Sequence, residues 1–214
     1  MSIKALIFDM HGVLLFSHEG TIEESFARRL KIPVEQVGRV FHDGYNDKAD
    51  IGEITQRDFW LHALETMGLP ASRLPEIEHF FNEEFHIDPR MLNTVREYRK
   101  HFKTAMLSNY SDGLRPRLMK EWDVSGAFDE IIISWEIKMI KPQPQIFDYT
   151  LNKLHVKKDE AVLIDDRIVN IRGAQEYGLH TVHFKNIDQG LADLDRLIAA
   201  HNSDFRQLEN IAVE

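Results

Sequence analysis

The chain contains no cysteine, which excludes disulfide stapling, thiolate metal centres and a cysteine nucleophile. No apolar run approaches the ~20 residues that a bilayer span needs. Met1-Ser2-Ile3-Lys4 leads straight into an apolar stretch, without the pattern of a secretory leader. Positive charge is also scarce: 26 Lys+Arg stand against 35 Asp+Glu, a formal charge of -9, so there is no basic stripe for nucleic acid or an anionic membrane. No repeat or low-complexity tract appears. What is present is 43% hydrophobic and 29% charged residue over 214 positions, enough for one full core and a sizeable insert. The expected setting is cytoplasmic and the expected partner a small molecule. The composition is compatible with a monomer or a homodimer.

Two textures divide the chain. Residues 1–15 and roughly 88–185 carry short β-type runs, among them Lys4-Ala5-Leu6-Ile7-Phe8, Thr104-Ala105-Met106-Leu107, Ile131-Ile132-Ile133, Ala161-Val162-Leu163-Ile164 and His180-Thr181-Val182-His183-Phe184. Helical stretches separate them, which predicts an α/β fold: a doubly wound, Rossmann-like parallel sheet covered on both faces. Between about 17 and 86 no strand is evident, and helices are expected over 21–31, 34–43, 55–67 and 75–85. Thr21 followed by Glu24 has capping-box spacing, and Phe59, Trp60, Ala63, Leu64 and Met67 form an apolar stripe read as insert core. The expected division is an α/β core of residues 1–16 and 87–214 with a small α-helical bundle cap of residues 17–86. A last helix over 191–200 is expected to precede a frayed polar end.

Asp9 stands where the first apolar strand breaks into a glycine turn, at the sheet edge where open α/β folds bind ligands. Later strands end in Ser108-Asn109 and in Asp165-Asp166, and Lys141 lies between them in the run Lys141-Pro142-Gln143-Pro144-Gln145-Ile146-Phe147. Each has an ordinary reading. Asp9 fits a loop aspartate, Gly12 a turn needing positive φ, and Ser108, Asn109, Asp165 or Asp166 the N-cap of a following helix. Lys141 fits a solvated lysine. The ordered combination, and no single residue, points to one site.

Taken together, these segments resemble the haloacid dehalogenase-like hydrolase superfamily, more closely its phosphatase branch with a helical cap inserted after the first strand. Phe8-Asp9-Met10-His11-Gly12-Val13 resembles the first motif and Leu107-Ser108-Asn109 the second. The Lys141 run resembles the third, and Leu163-Ile164-Asp165-Asp166 with Asn170, Ala174 and Gly178 the fourth. The resemblance covers essentially the whole chain. It implies a Mg²⁺-dependent phosphatase of small phosphorylated metabolites, such as a sugar phosphate, in which Asp9 attacks phosphorus and becomes an aspartyl-phosphate. Three carboxylates at one strand edge repel each other and a phosphate dianion, so a hard oxygen-seeking cation belongs there. By the family pattern its ligands are Asp9, the backbone carbonyl of His11 and Asp166, with Asp165 either a direct ligand or just behind. Ser108 and Lys141 would hold the phosphate, Asn109 would orient it, and Asn170 would brace the metal loop.

His11 departs from the family, whose first motif carries a second aspartate there as general acid/base. The backbone-carbonyl duty survives the change, but the proton-transfer duty does not transfer automatically, even though imidazole is a competent acid/base. Three explanations stand: a native substitute, a crippled enzyme that binds phosphate without turning it over, or a laboratory substitution. Two further activities compete with hydrolysis of a phosphate. A haloacid dehalogenase would use the same aspartate on carbon without metal, and a mutase would return phosphate to substrate. Consecutive Asp165-Asp166 argue against the dehalogenase, since uncompensated anions repel a halocarboxylate. His180 and His183 are spaced to face opposite sides of a strand, which predicts a structural or surface role. His42, Asp43, Tyr45 and Asn46, near a helix end in the insert, are candidates for substrate contact.

Overall fold

The computed structural model describes residues 2–18 and 20–202, without the side chains of His42 and Asn82. The expected polar end beyond 202 lies outside the described residues. In chain order the elements are β1 (Ala5–Phe8), β2 (Leu15–Ser17), α1 (Ile22–Leu30), α2 (Val34–His42), α3 (Tyr45–Asp50), α4 (Gln56–Thr66) and α5 (Leu74–Glu83). There follow β3 (Phe85–Ile87), α6 (Pro89–Tyr98), β4 (Lys103–Ser108), α7 (Leu114–Lys120), β5 (Glu130–Ile133), α8 (Ser134–Ile137) and α9 (Pro144–Leu154). The chain continues with β6 (Ala161–Asp165), α10 (Ile168–Tyr177), β7 (His180–His183) and α11 (Ile187–His201).

Strand order in the main sheet is β5-β4-β1-β6-β7, and every neighbouring pair is parallel. Side chains alternate across a strand, and the core follows that alternation. Leu6, Phe8, Met106, Val162 and Ile164 pack on one face with Met91, Val95 and Tyr98 of α6 and Leu194 and Ile198 of α11. Ala5, Ile7, Ala105, Leu107, Ala161 and Leu163 pack on the other with Ile146, Phe147 and Leu151 of α9 and Ala174 of α10. A sheet covered on both faces needs strands apolar at every position, and β1 is fully buried along its length. The fold is the doubly wound α/β arrangement that the run pattern predicts.

Five helices, α1 to α5, intervene between β2 and β3. The capping box expected at the start of the first is present: Thr21 Oγ1 accepts from Glu24 N at 3.2 Å, and Glu24 returns the bond to Thr21 N at 2.8 Å. Phe59 and Trp60 are buried, as expected of insert core, with Trp60 stacked 5.2 Å from Phe26. Two features depart from the sequence reading. Leu15–Ser17 pairs antiparallel with Phe85–Ile87 as a two-stranded ribbon at the stem of the insert, where no strand was expected. Three-residue strands carry too little alternation to stand out, and their partner is 70 residues away. The α3 turn of helix was likewise not foreseen, because its residues Tyr45–Asp50 are mostly polar. The last helix starts earlier than expected, at Ile187 behind an Asn186 cap. Among the described residues no helix is long and apolar enough to cross a membrane.

Replacing Thr21 by alanine removes one half of the capping box. The expected cost is about 1 kcal/mol, read as a fall in melting temperature of about 2–4 °C for a chain of this size. An unchanged melt followed by circular dichroism would show that the cap does not contribute.

Candidate active site

Asp9 follows β1, and its backbone N–H continues the ladder to Ile164 O at 2.9 Å. Register pairs Phe8 with Ile164, so Asp9 emerges beside Asp165, the last residue of β6. One oxygen from each of Asp9, Asp165 and Asp166 lies within 4.8 Å of the others. Residues far apart in sequence meet because β1 and β6 are neighbours and both end at this edge. Gly12 makes room for the third carboxylate. Its φ of +73° suits glycine, and a Cβ there would overlap the Asp166 side chain.

Lys141 supplies the positive charge. Its Nζ lies 2.8 Å from Asp9 Oδ1 and 2.6 Å from Asp165 Oδ2, with the ammonium almost wholly buried. The turn that carries it is clamped by Asn109, whose Nδ2 donates to Lys141 O at 2.9 Å and whose Oδ1 accepts from Lys141 N at 2.8 Å. Gly173 on α10 lets the helix approach, since a Cβ there would overlap Pro142. Asp165 is saturated. Besides Lys141 it accepts from Arg167 N at 2.9 Å and from Asn170 Nδ2 at 3.0 Å on each oxygen. Asp9 and Asp166 therefore hold the less engaged oxygens, which bears on which carboxylates can bind a cation.

Charge does not balance at this edge. Burial, only partly offset by the Lys141 ammonium and reinforced by Asp165 and Asp166, pushes Asp9 up to about 8. Burial and then the Asp165 charge push Asp166 up to about 6. Burial alone would lower Lys141, but Asp165 and Asp9 outweigh it and hold the ammonium above the usual lysine range. Three carboxylates and one ammonium leave an excess of two negative charges when all are ionised. A divalent cation with oxygen preference, such as Mg²⁺, fits that deficit, that donor set and the free oxygens of Asp9 and Asp166.

His11 lies between rings, stacked on Tyr110 with centroids 5.4 Å apart and edge-on to Phe85 at the same distance. Its Nε2 is buried without a hydrogen-bond partner. Burial, with the Arg117 and Lys141 charges adding to it, lowers its pKa to about 4, so the imidazole is neutral at pH 7. The Ser108 hydroxyl is also buried and unpartnered at the end of β4, an orphaned donor beside the strand that carries Asp9.

These groups open into a cavity of about 480 Å³ walled by Asp9, His11, Gly12, Asn109, Lys141, Asp166 and Asn170 from the expected set. Asp165 and Ser108 are buried at the same edge. Asn109 uses both ends of its amide on the Lys141 main chain, where an orienting contact to phosphate was expected. Neither Ser108-Asn109 nor Asp165-Asp166 caps a helix: α7 begins at a Gly113 cap, and Arg167 precedes α10. The helices between β2 and β3 contribute Phe41, Asn46, Asp50, Phe59 and Trp60 to the wall, and Tyr110 and Arg167 come from the segments after β4 and β6. Of the four insert candidates, Asn46 lines the cavity, whereas Tyr45 stacks on His62 and Asp43 bonds the Tyr45 backbone. The His42 side chain lies outside the described residues. Asp50, raised to about 7 by burial and then by Asp47, carried no local signal in the sequence. Tyr110 was findable only as the residue after Asn109. His180 packs on His201, while His183 Nε2 lies 3.0 Å from Asp166 O, behind the acidic cluster.

A family model for haloacid dehalogenase-like hydrolases matches residues 3–178. The chain belongs to that hydrolase family. Among curated relatives, this hydrolase is 28% identical over 222 residues to the bifunctional epoxide hydrolase 2 of Sus scrofa, covering 92% of this chain and 39% of the relative. The hydrolase thus spans about two fifths of that relative's length. It is 24% identical to the D-ribitol-5-phosphate phosphatase of Bacteroides thetaiotaomicron, covering 86% of this chain and 93% of the phosphatase. Among solved structures, a HAD family enzyme of Bacteroides thetaiotaomicron in complex with magnesium and inorganic phosphate superposes with a TM-score of 0.65 at 27% identity. That match covers 84% of this chain and 93% of the other.

The raised carboxyls set a pH dependence for the metal-free hydrolase. Between pH 6.5 and 8, folded Asp9 and Asp50 still hold protons that the unfolded chain, with carboxyls titrating near 4, has released. Stability therefore falls as pH rises through that window. Below 6.5 His11, lowered to about 4, acts oppositely, because the unfolded imidazole takes up a proton that the folded one refuses. The melting temperature in EDTA should drop from pH 6.5 to 8, and excess Mg²⁺ should flatten the drop. A flat profile in EDTA would contradict the burial of these carboxyls.

Proposed function

We propose that this hydrolase is a Mg²⁺-dependent phosphatase of a small phosphorylated metabolite, with residues 17–86 acting as a cap over a core of residues 1–16 and 87–214. The observation that carries the reading is the convergence of Asp9, Asp165 and Asp166 on the buried Lys141. A ribitol phosphate phosphatase among the relatives and a magnesium-and-phosphate complex among the structural neighbours support it. Mg²⁺ would be held by Asp9, Asp166 and the His11 backbone carbonyl, and when bound it supplies charge that keeps Asp9 ionised at neutral pH and screens the phosphate dianion from the carboxylates. Asp165, saturated by Lys141, Asn170 and the Arg167 N–H, positions the lysine.

In the first step an Asp9 carboxylate oxygen forms a bond to phosphorus while the ester P–O bond breaks, its electron pair leaving with the alcohol oxygen. Lys141 and the Ser108 hydroxyl donate to the phosphoryl oxygens, and the unpartnered state of Ser108 leaves its proton available for this. In the second step water attacks phosphorus and Asp9 is released. A neutral His11 can accept the proton of that water at its unpartnered Nε2, but its remaining N–H is too weakly acidic to protonate the departing alcohol in the first step, whose oxygen then takes its proton from water. His11 thus serves one half of the acid/base cycle, and poor leaving groups suffer most.

His11 also supports a second reading, a phosphate-binding protein that does not turn over. Fluoroberyllate trapped on Asp9 with no phosphate release from any ester would favour it.

Phosphate release from p-nitrophenyl phosphate should require Mg²⁺ and vanish in Asp9→Asn. Release that persists in chelator refutes the Mg²⁺ requirement, and release that survives that substitution refutes Asp9 as the nucleophile. His11→Asp should raise turnover of an alkyl phosphate at least about tenfold, since general acid/base help is worth roughly 10²–10⁴. The gain on the aryl ester should be smaller. An unchanged or lower alkyl rate counts against the role given to His11.

A further inference from the structure

The cavity above Asp9 has two kinds of wall. Phe16, Phe41, Phe59, Trp60, Phe81 and Phe85 form the first. They are fixed against one another and their neighbours, with Trp60 4.8 Å from Phe59 and 5.1 Å from Phe81, and Phe81 5.3 Å from Phe85. The second wall is polar, and most of its side chains are engaged within the protein, whereas His11 Nε2 and Trp60 Nε1 are buried with no partner. Ser17 Oγ bonds Ser25 Oγ at 2.8 Å and Glu84 at 2.9 Å. Asn46 Nδ2 donates to Asp50 at 3.0 Å, and Gln56 Nε2 donates to Ser111 Oγ at 3.0 Å. Both ends of the Asn109 amide are held by the Lys141 backbone. Thr21 Oγ1 caps its helix.

We propose that the leaving group seated in this cavity is an apolar alcohol, hydrocarbon or aryl, and not a polyol. This rests on the phosphatase reading above and narrows its substrate class. A sugar hydroxyl entering the cavity gives up water for walls most of whose hydrogen-bonding groups already have partners, and each hydroxyl left unpaired weakens binding by about ten- to a hundredfold. An apolar group gives up nothing comparable and gains contact with rings already held in place, so little ordering is required of the protein. The phosphate is recognised at the opposite end, by the charged edge of the sheet. The two ends of the substrate are thus read by different physics.

Isothermal titration of the full chain with saturating Mg²⁺ against phenethylphosphonate and dihydroxypropylphosphonate tests the wall independently of turnover, because neither ligand can be hydrolysed. The aryl ligand should bind at least about tenfold more tightly. Equal affinities, a preference for the diol, or no binding of either overturns the proposal. In Phe16→Asn the ratio should fall, whereas in Phe16→Leu it should persist, with melts confirming that both fold. A ratio unchanged in both variants would place the apolar ligand elsewhere and overturn it. Phosphate release from the matching esters is scored separately. A retained aryl preference without release from either ester refutes the phosphatase reading while upholding the apolar cavity.

Discussion

The buried ammonium of Lys141 is the interaction on which the rest of this site depends. It joins Asp9 and Asp165, the residues at the ends of two adjacent strands, from a turn that belongs to neither. Removing one partner of a buried charge pair costs about 3–5 kcal/mol, because the remaining charge is stranded away from water. The neighbouring structure serves that placement: Asn109 clamps the Lys141 backbone, Asn170 holds Asp165, and Gly173 clears Pro142. One lysine cannot neutralise three carboxylates, and the surplus negative charge is what makes the edge ready for a divalent cation.

The insert is tied to this edge through main-chain groups as much as side chains. Ser134 Oγ donates to the Asp50 carbonyl at 2.7 Å while accepting from Tyr110 N at 2.9 Å, so one hydroxyl links the end of α3 to the segment after β4. Gln56 N donates to Asp112 at 3.1 Å at a second point. These contacts set the depth of the cavity between the aromatic cluster of the insert and the charged strand ends. Among the described residues, a larger groove of about 650 Å³ at the amino ends of the strands, near Lys4 and Lys103, has no such acidic cluster. The chemistry and the larger volume are therefore on opposite edges of the sheet.

His11 shows how context rewrites a residue. In water imidazole titrates near 6.5 and could both give and take a proton at neutral pH. Flanked by Tyr110 and Phe85 and near two basic side chains, it is held neutral. An aspartate at the same point would face the same burial with the opposite consequence, since burial favours its protonated, proton-donating form. The substitution is thus asymmetric across the two halves of a phosphoryl-transfer cycle.

The sequence by itself determined the sheet and its charged edge. Strands buried on both faces must be apolar throughout, and the only polar residues such strands tolerate are those at their ends, so Asp9, Ser108 and Asp165-Asp166 were visible as interruptions of apolar runs. Thr21 and Glu24 announced a helix start because capping is a contact three residues long. The ribbon of Leu15–Ser17 with Phe85–Ile87, the arrival of Asp50 and the aromatic rings over Asp9, and the neutral state of His11 were decided only by the tertiary structure. Each depends on partners tens of residues away and on burial, and a chain's order encodes neither distance in space nor access to water.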